Sequence, residues 1–524
     1  MPVQPTSHAP IAVEEQAPAA FADPERKAKL VAAFPALDRH LAAELEAQHL
    51  PGFAFGVVID GELAYARGFG VRDLGTRAPV DADTVFRIGS MTKTFTAAAI
   101  LRLRDEGRVS LDAPMVTYLP ELGAVKYPTR DATPFTMRHV LTHTSGLPRV
   151  GNFSYTRPDH DPTEAEMLQG LSDMVLGAAP GTEEVYSNYG MSLLGLVVGR
   201  VTGVRYRDYV TRQLLLPLGM TATTWDQRDV PSEKLATAYA RLPGHSEPQR
   251  MEHWRLGASE SAGGLYSSLR DMAKWAAFQL SAWPPRSDAE SRVLSRSSLR
   301  EAQTPQHFSS LKVTWSAAAE PTSGDAQATG IGLAWFTATR CDVERMVWHS
   351  GGTEGFRGSI HLVPDRGVAL VWLGNLVDAD GARIVDGALR VLLASGGLLP
   401  RVPPLAPSLS RAADGVVALH ADTTEARWTA IAAPTFRAAV PFSSVRALSE
   451  QLRTKVGACK GPVPLLMQSA TEATFGVPCE RGHLVYELSV DPKSGLLLGA
   501  TVQGREGPLS TGAQGACVPA SPSK

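Results

Sequence analysis

The sequence predicts an α/β fold. One antiparallel sheet is assembled from both ends of a long domain, with helices between them and a small α+β unit beyond. Three observations carry that expectation. Apolar pairs joined by turn residues occur early, around Asp60-Gly61, and late, around Pro364-Asp-Arg-Gly367. Several stretches between them follow a helical period. The segment Leu399-Pro-Arg-Val-Pro-Pro-Leu-Ala-Pro407 then places four prolines in nine residues, the composition of a stiff linker.

In chain order, residues 1 to about 25 are rich in Pro and Ala without a period, and 1–30 reads as a flexible N-terminal segment. Pro35 to Gln48 reads as a helix with Leu37, Leu41 and Leu45 on one face. Phe53 to Ile59 and Glu62 to Gly68 flank Asp60-Gly61, residue types that accept the positive φ of a two-residue hairpin turn. Thr92 to Glu106 reads as a helix stopped by Gly107, and Glu164 to Leu176 as another. Ser268 reads as the N-cap of a helix from Leu269 to Leu280. Ser316 to Gly330 is rich in Ala, Ser, Thr and Gly and reads as a loop. The late pair, Phe356 to Val363 and Val368 to Leu373, precedes a helix from Gly381 to Ala394. Beyond a linker at 399–410, residues 411–524 read as a small α+β domain. It has a helix from Ser443 to Lys455, strands at Ala473–Val477, Leu484–Val490 and Leu496–Gln503, and a turn at Asp491–Gly495.

A chain of 524 residues is long for one core, which agrees with two domains. It is 44% hydrophobic and 20% charged, with a net charge of -2 and no long run of one sign. That composition points away from nucleic acid or an anionic membrane surface as the main partner; the small-molecule or peptide substrate expected here rests on the chemical motifs and not on composition. The most apolar stretches, such as Leu193-Leu-Gly-Leu-Val-Val-Gly199, are far too short to span a bilayer. The first residues lack the basic start and apolar centre of a signal peptide. The expected location is therefore cytoplasmic, or periplasmic or secreted if a signal was removed. Of the cysteines Cys341, Cys459, Cys479 and Cys517, none has zinc-ligand spacing. Free thiols and a Cys459–Cys479 disulfide both fit, the latter favouring an oxidising compartment.

Three segments carry chemistry. In Val85-Phe-Arg-Ile-Gly-Ser-Met-Thr-Lys93 a β-like run ends at Gly89 and a helix begins at Ser90. Ser90 and Lys93 share one face of the first turn. A serine hydroxyl is a poor nucleophile until a base takes its proton, and an amine on the same face can do that. Taken alone, the pair also describes a helix cap beside a solvated lysine. In Ala179-Pro-Gly-Thr-Glu-Glu-Val-Tyr-Ser-Asn188, Tyr186 and Asn188 lead into an apolar helix. A phenol near an ammonium group gives up its proton more readily, and Asn188 can bond a lysine and a substrate amide. A core tyrosine and a helix cap would look the same. In Met346-Val-Trp-His-Ser-Gly-Gly-Thr353, His349, Ser350, Gly351 and Gly352 form a glycine-rich edge whose backbone amides can point into a cleft. A turn histidine beside glycines is the bland version.

These segments, in this order, resemble the serine β-lactamase, D-alanyl-D-alanine peptidase and esterase family on its class C side. Ser90-Met-Thr-Lys93 matches Ser-x-x-Lys, Tyr186-Ser-Asn188 matches Tyr-x-Asn, and His349-Ser-Gly351 stands where the family carries Lys-Thr-Gly or His-x-Gly. Gly68-Phe-Gly-Val-Arg-Asp73 and Leu141-Thr-His-Thr-Ser-Gly-Leu-Pro148 are similar to accessory stretches of the family. The resemblance covers roughly residues 35 to 395, within a hydrolase domain at 31–398. It implies an α/β (α+β) sandwich with an all-helical subdomain and the active site between them. It also implies Ser90 as nucleophile, Lys93, Tyr186 and His349 as its catalytic partners, and Asn188, Ser350, Gly351 and Gly352 around the substrate. The backbone amides of Ser90 and Gly352 would then form the oxyanion hole. The C-terminal domain loosely resembles cone-shaped α+β folds of the cystatin or nuclear-transport-factor type.

The chemistry expected is hydrolysis of an ester, D-amino-acid peptide or β-lactam-like bond through an acyl-enzyme, with no metal or organic cofactor. A penicillin-binding sensor that is acylated without turnover would keep the same motifs. His349 in place of lysine leaves no lysine there for a substrate carboxylate, which favours an esterase or D-amino-acid peptidase over a dedicated β-lactamase. Arg357 either supplies that charge or is a surface arginine. His143, beside Thr144 and Ser145, reads as a structural loop histidine, with contact to the site as the alternative, and Asp159-His-Asp161 as a solvated turn rather than a metal site.

Overall fold

The computed structural model describes residues 17–151, 159–315, 324–340, 342–402, 404, 406–507 and 509. Its centre is an eight-stranded antiparallel sheet. Across it the strands run Glu62–Gly70, Gly52–Ile59, Val368–Gly374, Phe356–Val363, Met346–Thr353, Phe336–Arg340, Gly324–Ile331 and His307–Trp315. The early strand Gly52–Ile59 pairs with the late strand Val368–Gly374, Phe55 lying opposite Trp372, so both ends of the domain build one sheet as predicted. Asp60 and Gly61 take the expected positive φ, 52° and 86°.

Alternation along these strands divides them between two cores, because successive side chains leave opposite faces of a sheet. Phe53, Phe55, Val57 and Ile59 join Leu370 and Trp372 in one core. Ala54 and Val58 join Ala369, Val371 and Leu373 in the other. The first face is covered by the helices Phe34–Ala47 and Gly381–Ala394, which also pack on each other. The second is covered by the helix Leu269–Leu280, capped by Ser268 Oγ accepting the Asp271 N–H at 3.3 Å.

The second core continues into a helical region containing the helices Thr92–Asp105 and Asn188–Thr202. Both are buried on nearly every side, as interior helices are. Phe95 of the first stacks on Trp275 of the sheet-covering helix with ring centres 3.9 Å apart, and Trp275 Nε1 donates to Thr94 Oγ1 at 3.0 Å. The helix that follows Ser90 is thereby anchored to the layer that covers the sheet.

A separate four-stranded antiparallel sheet, Val463–Ser469, Glu472–Cys479, Gly482–Val490 and Leu497–Glu506, has its own core with the helices Pro407–Ala421 and Phe442–Val456. Cys459 and Cys479 are disulfide-bonded. Cys341 and Cys517 lie outside the described residues.

Several expectations are corrected. The segment read as flexible to residue 30 includes the helix Arg26–Ala32. Leu30 is in the core, and the buried Arg26 guanidinium pairs with Asp60 2.7 Å away. The helix expected to reach Leu176 stops at Gln169, where Gly170 begins a short 3-10 turn. Half of the expected Ser316–Gly330 loop is strand Gly324–Ile331, paired with His307–Trp315; residues 316–323 lie outside the described residues. The linker ends at Pro407 rather than at residue 410, because proline is at ease in the first turn of a helix, where no N–H is needed.

Candidate active site

Ser90 sits where the strand Val85–Arg87 passes through Gly89 into the 3-10 turn Gly89–Met91 and then the helix Thr92–Asp105. Gly89 has φ +53°, and a Cβ there would stand 2.9 Å from the Gly352 nitrogen and 3.1 Å from its oxygen. Handedness and close approach both require glycine. From the other side, a Cβ on Gly351 would stand 1.9 Å from the Ile88 carbonyl oxygen and 3.2 Å from the Ser90 nitrogen. Two bare backbones therefore meet, and the amide nitrogens of Ser90 and Gly352 lie on adjoining segments. A buried ion pair holds them together. Arg87, just before the turn, pairs with Glu354, just after the glycine-rich strand, and also donates to the Trp254 carbonyl at 2.7 Å.

Lys93 lies one turn beyond Ser90 and is fully buried. Its Nζ is 2.9 Å from Ser90 Oγ and donates to the Ala262 carbonyl at 2.6 Å. Among the described residues no carboxylate pairs with it. Burial pushes the amine well below the ordinary lysine range, and the nearby Arg149 guanidinium pushes in the same direction. In its neutral form Nζ has a lone pair, 2.9 Å from the Ser90 hydroxyl.

Tyr186 faces this pair, with Lys93 Nζ 5.0 Å from its ring centre. The ring is packed by His143 at 4.3 Å, by Phe336 nearly parallel at 6.4 Å, and by the Arg149 guanidinium at 5.2 Å. Ser187 then caps the helix Asn188–Thr202, its Oγ accepting the Gly190 N–H at 2.8 Å. Asn188 is the first residue of that helix, and its N–H donates to the Arg149 carbonyl at 2.9 Å.

His349 lies on the strand Met346–Thr353, buried, with its ring 5.5 Å from Phe336. Its Nδ1 is 2.6 Å from the Ser350 carbonyl, so the ring proton sits there and Nε2 keeps a lone pair. Burial, with Lys93 close by, pushes its pKa down to about 3. A neutral imidazole of this tautomer offers Nε2 as a hydrogen-bond acceptor and does not act as a cation. Ser350 and Gly352 are exposed at the edge of the cleft while Gly351 is buried. Arg357 lies opposite Gly352 in the hairpin. A Cβ on Gly352 would be 3.3 Å from its NH1, and among the described residues Arg357 has no ion-pair partner.

The sequence singled out Ser90, Lys93, Tyr186, Asn188, His349, Ser350, Gly351 and Gly352; the structure brings Ser90, Lys93, Tyr186, His349, Gly351 and Gly352 together, with Asn188 and Ser350 next to them in the chain. It adds the Ala262 carbonyl and Phe336, which stand outside the motifs, and Arg149, the residue just after the Leu141–Pro148 stretch. His143, read as a structural loop residue, is buried against Tyr186. In the Asp159-His-Asp161 stretch, His160 bonds Glu166 and Asp161 pairs with Arg255. Among the described residues no three potential ligands cluster, and no helix is long and apolar enough to cross a membrane.

The glycine contact is testable. Gly351→Ala forces a Cβ against the Ile88 carbonyl and must push the strand away from Ser90. Turnover should fall by roughly 10²-fold, the loss typical of a displaced oxyanion donor, and the thermal midpoint should fall as well, because the clash is with backbone. Wild-type turnover in that variant would contradict the close approach.

Residues 37–395 match the family model described as Beta-lactamase. Protein flp of Staphylococcus aureus (strain NCTC 8325 / PS 47) is 29% identical over 344 residues, covering 65% of this chain and 62% of that protein. The chain thus spans less than two thirds of the length of that relative. The D-alanyl-D-alanine-carboxypeptidase/endopeptidase AmpH of Escherichia coli K12 is 31% identical over 229 residues, covering 42% of this chain and 55% of that protein. Among solved structures, the octameric penicillin-binding protein homologue from Pyrococcus abyssi superimposes with a TM-score of 0.57 at 21% identity, covering 87% of this chain and 96% of that one, a likeness of fold. With the family model matched over most of its length, and with a serine, a buried lysine and a tyrosine around one cleft, this chain belongs to the Beta-lactamase family.

Proposed function

We propose that this protein is a serine hydrolase that cleaves an ester or amide bond through an acyl-enzyme on Ser90. The observation that carries this is the fully buried Lys93 with its Nζ 2.9 Å from Ser90 Oγ. The neutral amine takes the Ser90 proton as Oγ attacks the substrate carbonyl. The amides of Ser90 and Gly352 stabilise the negative oxygen. Tyr186 carries the proton from Lys93 to the leaving group, and the lone pair on His349 Nε2 supports proton movement on that side of the cleft. Water, activated by the same relay in reverse, then frees the acyl group and restores Ser90. Asn188 and Ser350 hold the substrate amide.

The nucleophile is tested by Ser90→Ala. It should abolish turnover and labelling by a fluorophosphonate while the protein stays folded. Labelling at the wild-type rate would remove Ser90 from the role. Tyr186→Phe and Lys93→Ala should each lose at least ~10²-fold, and the double variant little more than the worse single one, because the two act as a unit.

Substrate preference is read by assaying one preparation on a short-chain p-nitrophenyl ester, nitrocefin, and D-alanyl and L-alanyl p-nitroanilides. With His349 where a lysine would meet a carboxylate, ester cleavage should exceed nitrocefin cleavage. The D-alanyl anilide should be cut faster than the L-alanyl anilide, a preference supported by the name of the Escherichia coli relative. Nitrocefin turnover above every ester would restore the β-lactamase reading, with the Arg357 guanidinium beside Gly352 as the carboxylate partner. A single stoichiometric acylation without turnover would make the protein a sensor.

A further inference from the structure

We infer that His143 is a positioning residue for Tyr186, an inference that rests on the acyl-enzyme reading above. His143 follows the helix Met137–Leu141 and has φ 55°, a left-handed conformation uncommon outside glycine. From that position it holds the residues on both sides of Tyr186 as well as Tyr186 itself. Its carbonyl accepts the Val185 N–H at 2.7 Å. Its Nδ1 accepts the Ser187 N–H at 3.2 Å. Its ring lies 4.3 Å from the Tyr186 ring. Further backbone bonds brace the same two segments: the Gly181 N–H donates to the Thr144 carbonyl at 2.7 Å, and the Gly177 N–H to the Gly146 carbonyl at 2.8 Å.

An Nδ1 that accepts carries no proton, so the neutral ring of His143 is protonated on Nε2. Protonation of Nδ1 would set one N–H against another and release Ser187. The surroundings oppose that protonation: the ring is fully buried, and of the Lys93, His349 and Arg149 groups that face it, the charged Arg149 guanidinium disfavours a further positive charge. Ser187 is also the N-cap of the helix Asn188–Thr202, so the clamp joins Tyr186 to a rigid element. Tyr186 itself is only half-buried and has Lys93 Nζ 5.0 Å from its ring centre, so proton transfer depends on where the loop holds the phenol. A misplacement of ~1 Å at such a group costs ~10²-fold in rate.

The test compares His143→Leu and His143→Asn in the full chain. Leucine keeps the bulk and removes the acceptor. Asparagine places Oδ1 near the former Nδ1 and tolerates a positive φ. On a p-nitrophenyl ester, His143→Leu should lose ~10²-fold in kcat with KM unchanged, and His143→Asn should recover most of that loss. Histidine 15N spectra of the wild type should show His143 neutral and protonated on Nε2. The inference is overturned by wild-type kcat in His143→Leu, by equal losses in the two variants, by a change confined to KM, or by a proton on Nδ1. Should His143→Leu fail to fold, the asparagine variant and the tautomer decide. Failure of the acyl-enzyme reading would show separately, as a wild-type protein that a fluorophosphonate does not label, and the tautomer would still report on the clamp.

Discussion

A lysine without solvent contact must either find a counter-charge or lose its proton, and Lys93 has no carboxylate to pair with among the described residues. Much of the architecture around Ser90 can be understood from that constraint. The helix Thr92–Asp105 is buried on nearly every side, so its first turn carries the lysine into the protein interior rather than to a surface. The Ala262 carbonyl takes one N–H of the amine, which satisfies a donor without supplying negative charge. A carboxylate in that place would have held the ammonium form. Arg149, at the face of Tyr186, adds a second positive influence in the same direction. His349 and His143 are both kept neutral chiefly by burial, and for His143 the Arg149 guanidinium pushes the same way.

The second requirement is that two backbones approach more closely than side chains allow. Gly89 and Gly351 supply the missing volume, and the buried Arg87–Glu354 pair fixes the segments that carry them. Such a pair gives little net stability against an apolar alternative, but losing one partner strands a buried charge. Its value here is registration: Arg87 enters the nucleophile turn, and Glu354 leaves the strand that bears Gly352. The sheet behind it is packed on both faces, which leaves little freedom for that register to slip.

What the sequence made legible was whatever depends on local pattern. The Asp60-Gly61 turn, the Ser268 cap and the helices Leu269–Leu280 and Gly381–Ala394 appear as predicted because turn chemistry, capping and period act over a few residues. Ser90 and Lys93 were legible for the same reason, being one helical turn apart. The strand Gly324–Ile331 was hidden, since Gly, Ala and Thr carry little apolar signal and its neighbours His307–Trp315 and Phe336–Arg340 complete it. Pro407 marked a linker and a helix start at once, and only packing decides between them. The contact of His143 with Tyr186 and the Ala262 carbonyl on Lys93 join distant segments. Burial sets the protonation of Lys93 and His349, and no spacing rule reports it.

The central claim, that Lys93 is a neutral base, is most directly tested by measuring its protonation. Lysine 15Nζ shifts, followed against pH in the wild type and assigned through Lys93→Arg, report it without reference to any substrate. The account predicts an amine already neutral at working pH, titrating well below the ~10.4 of a free lysine. A Lys93 ammonium that persists through neutral pH and titrates like a surface lysine would contradict it.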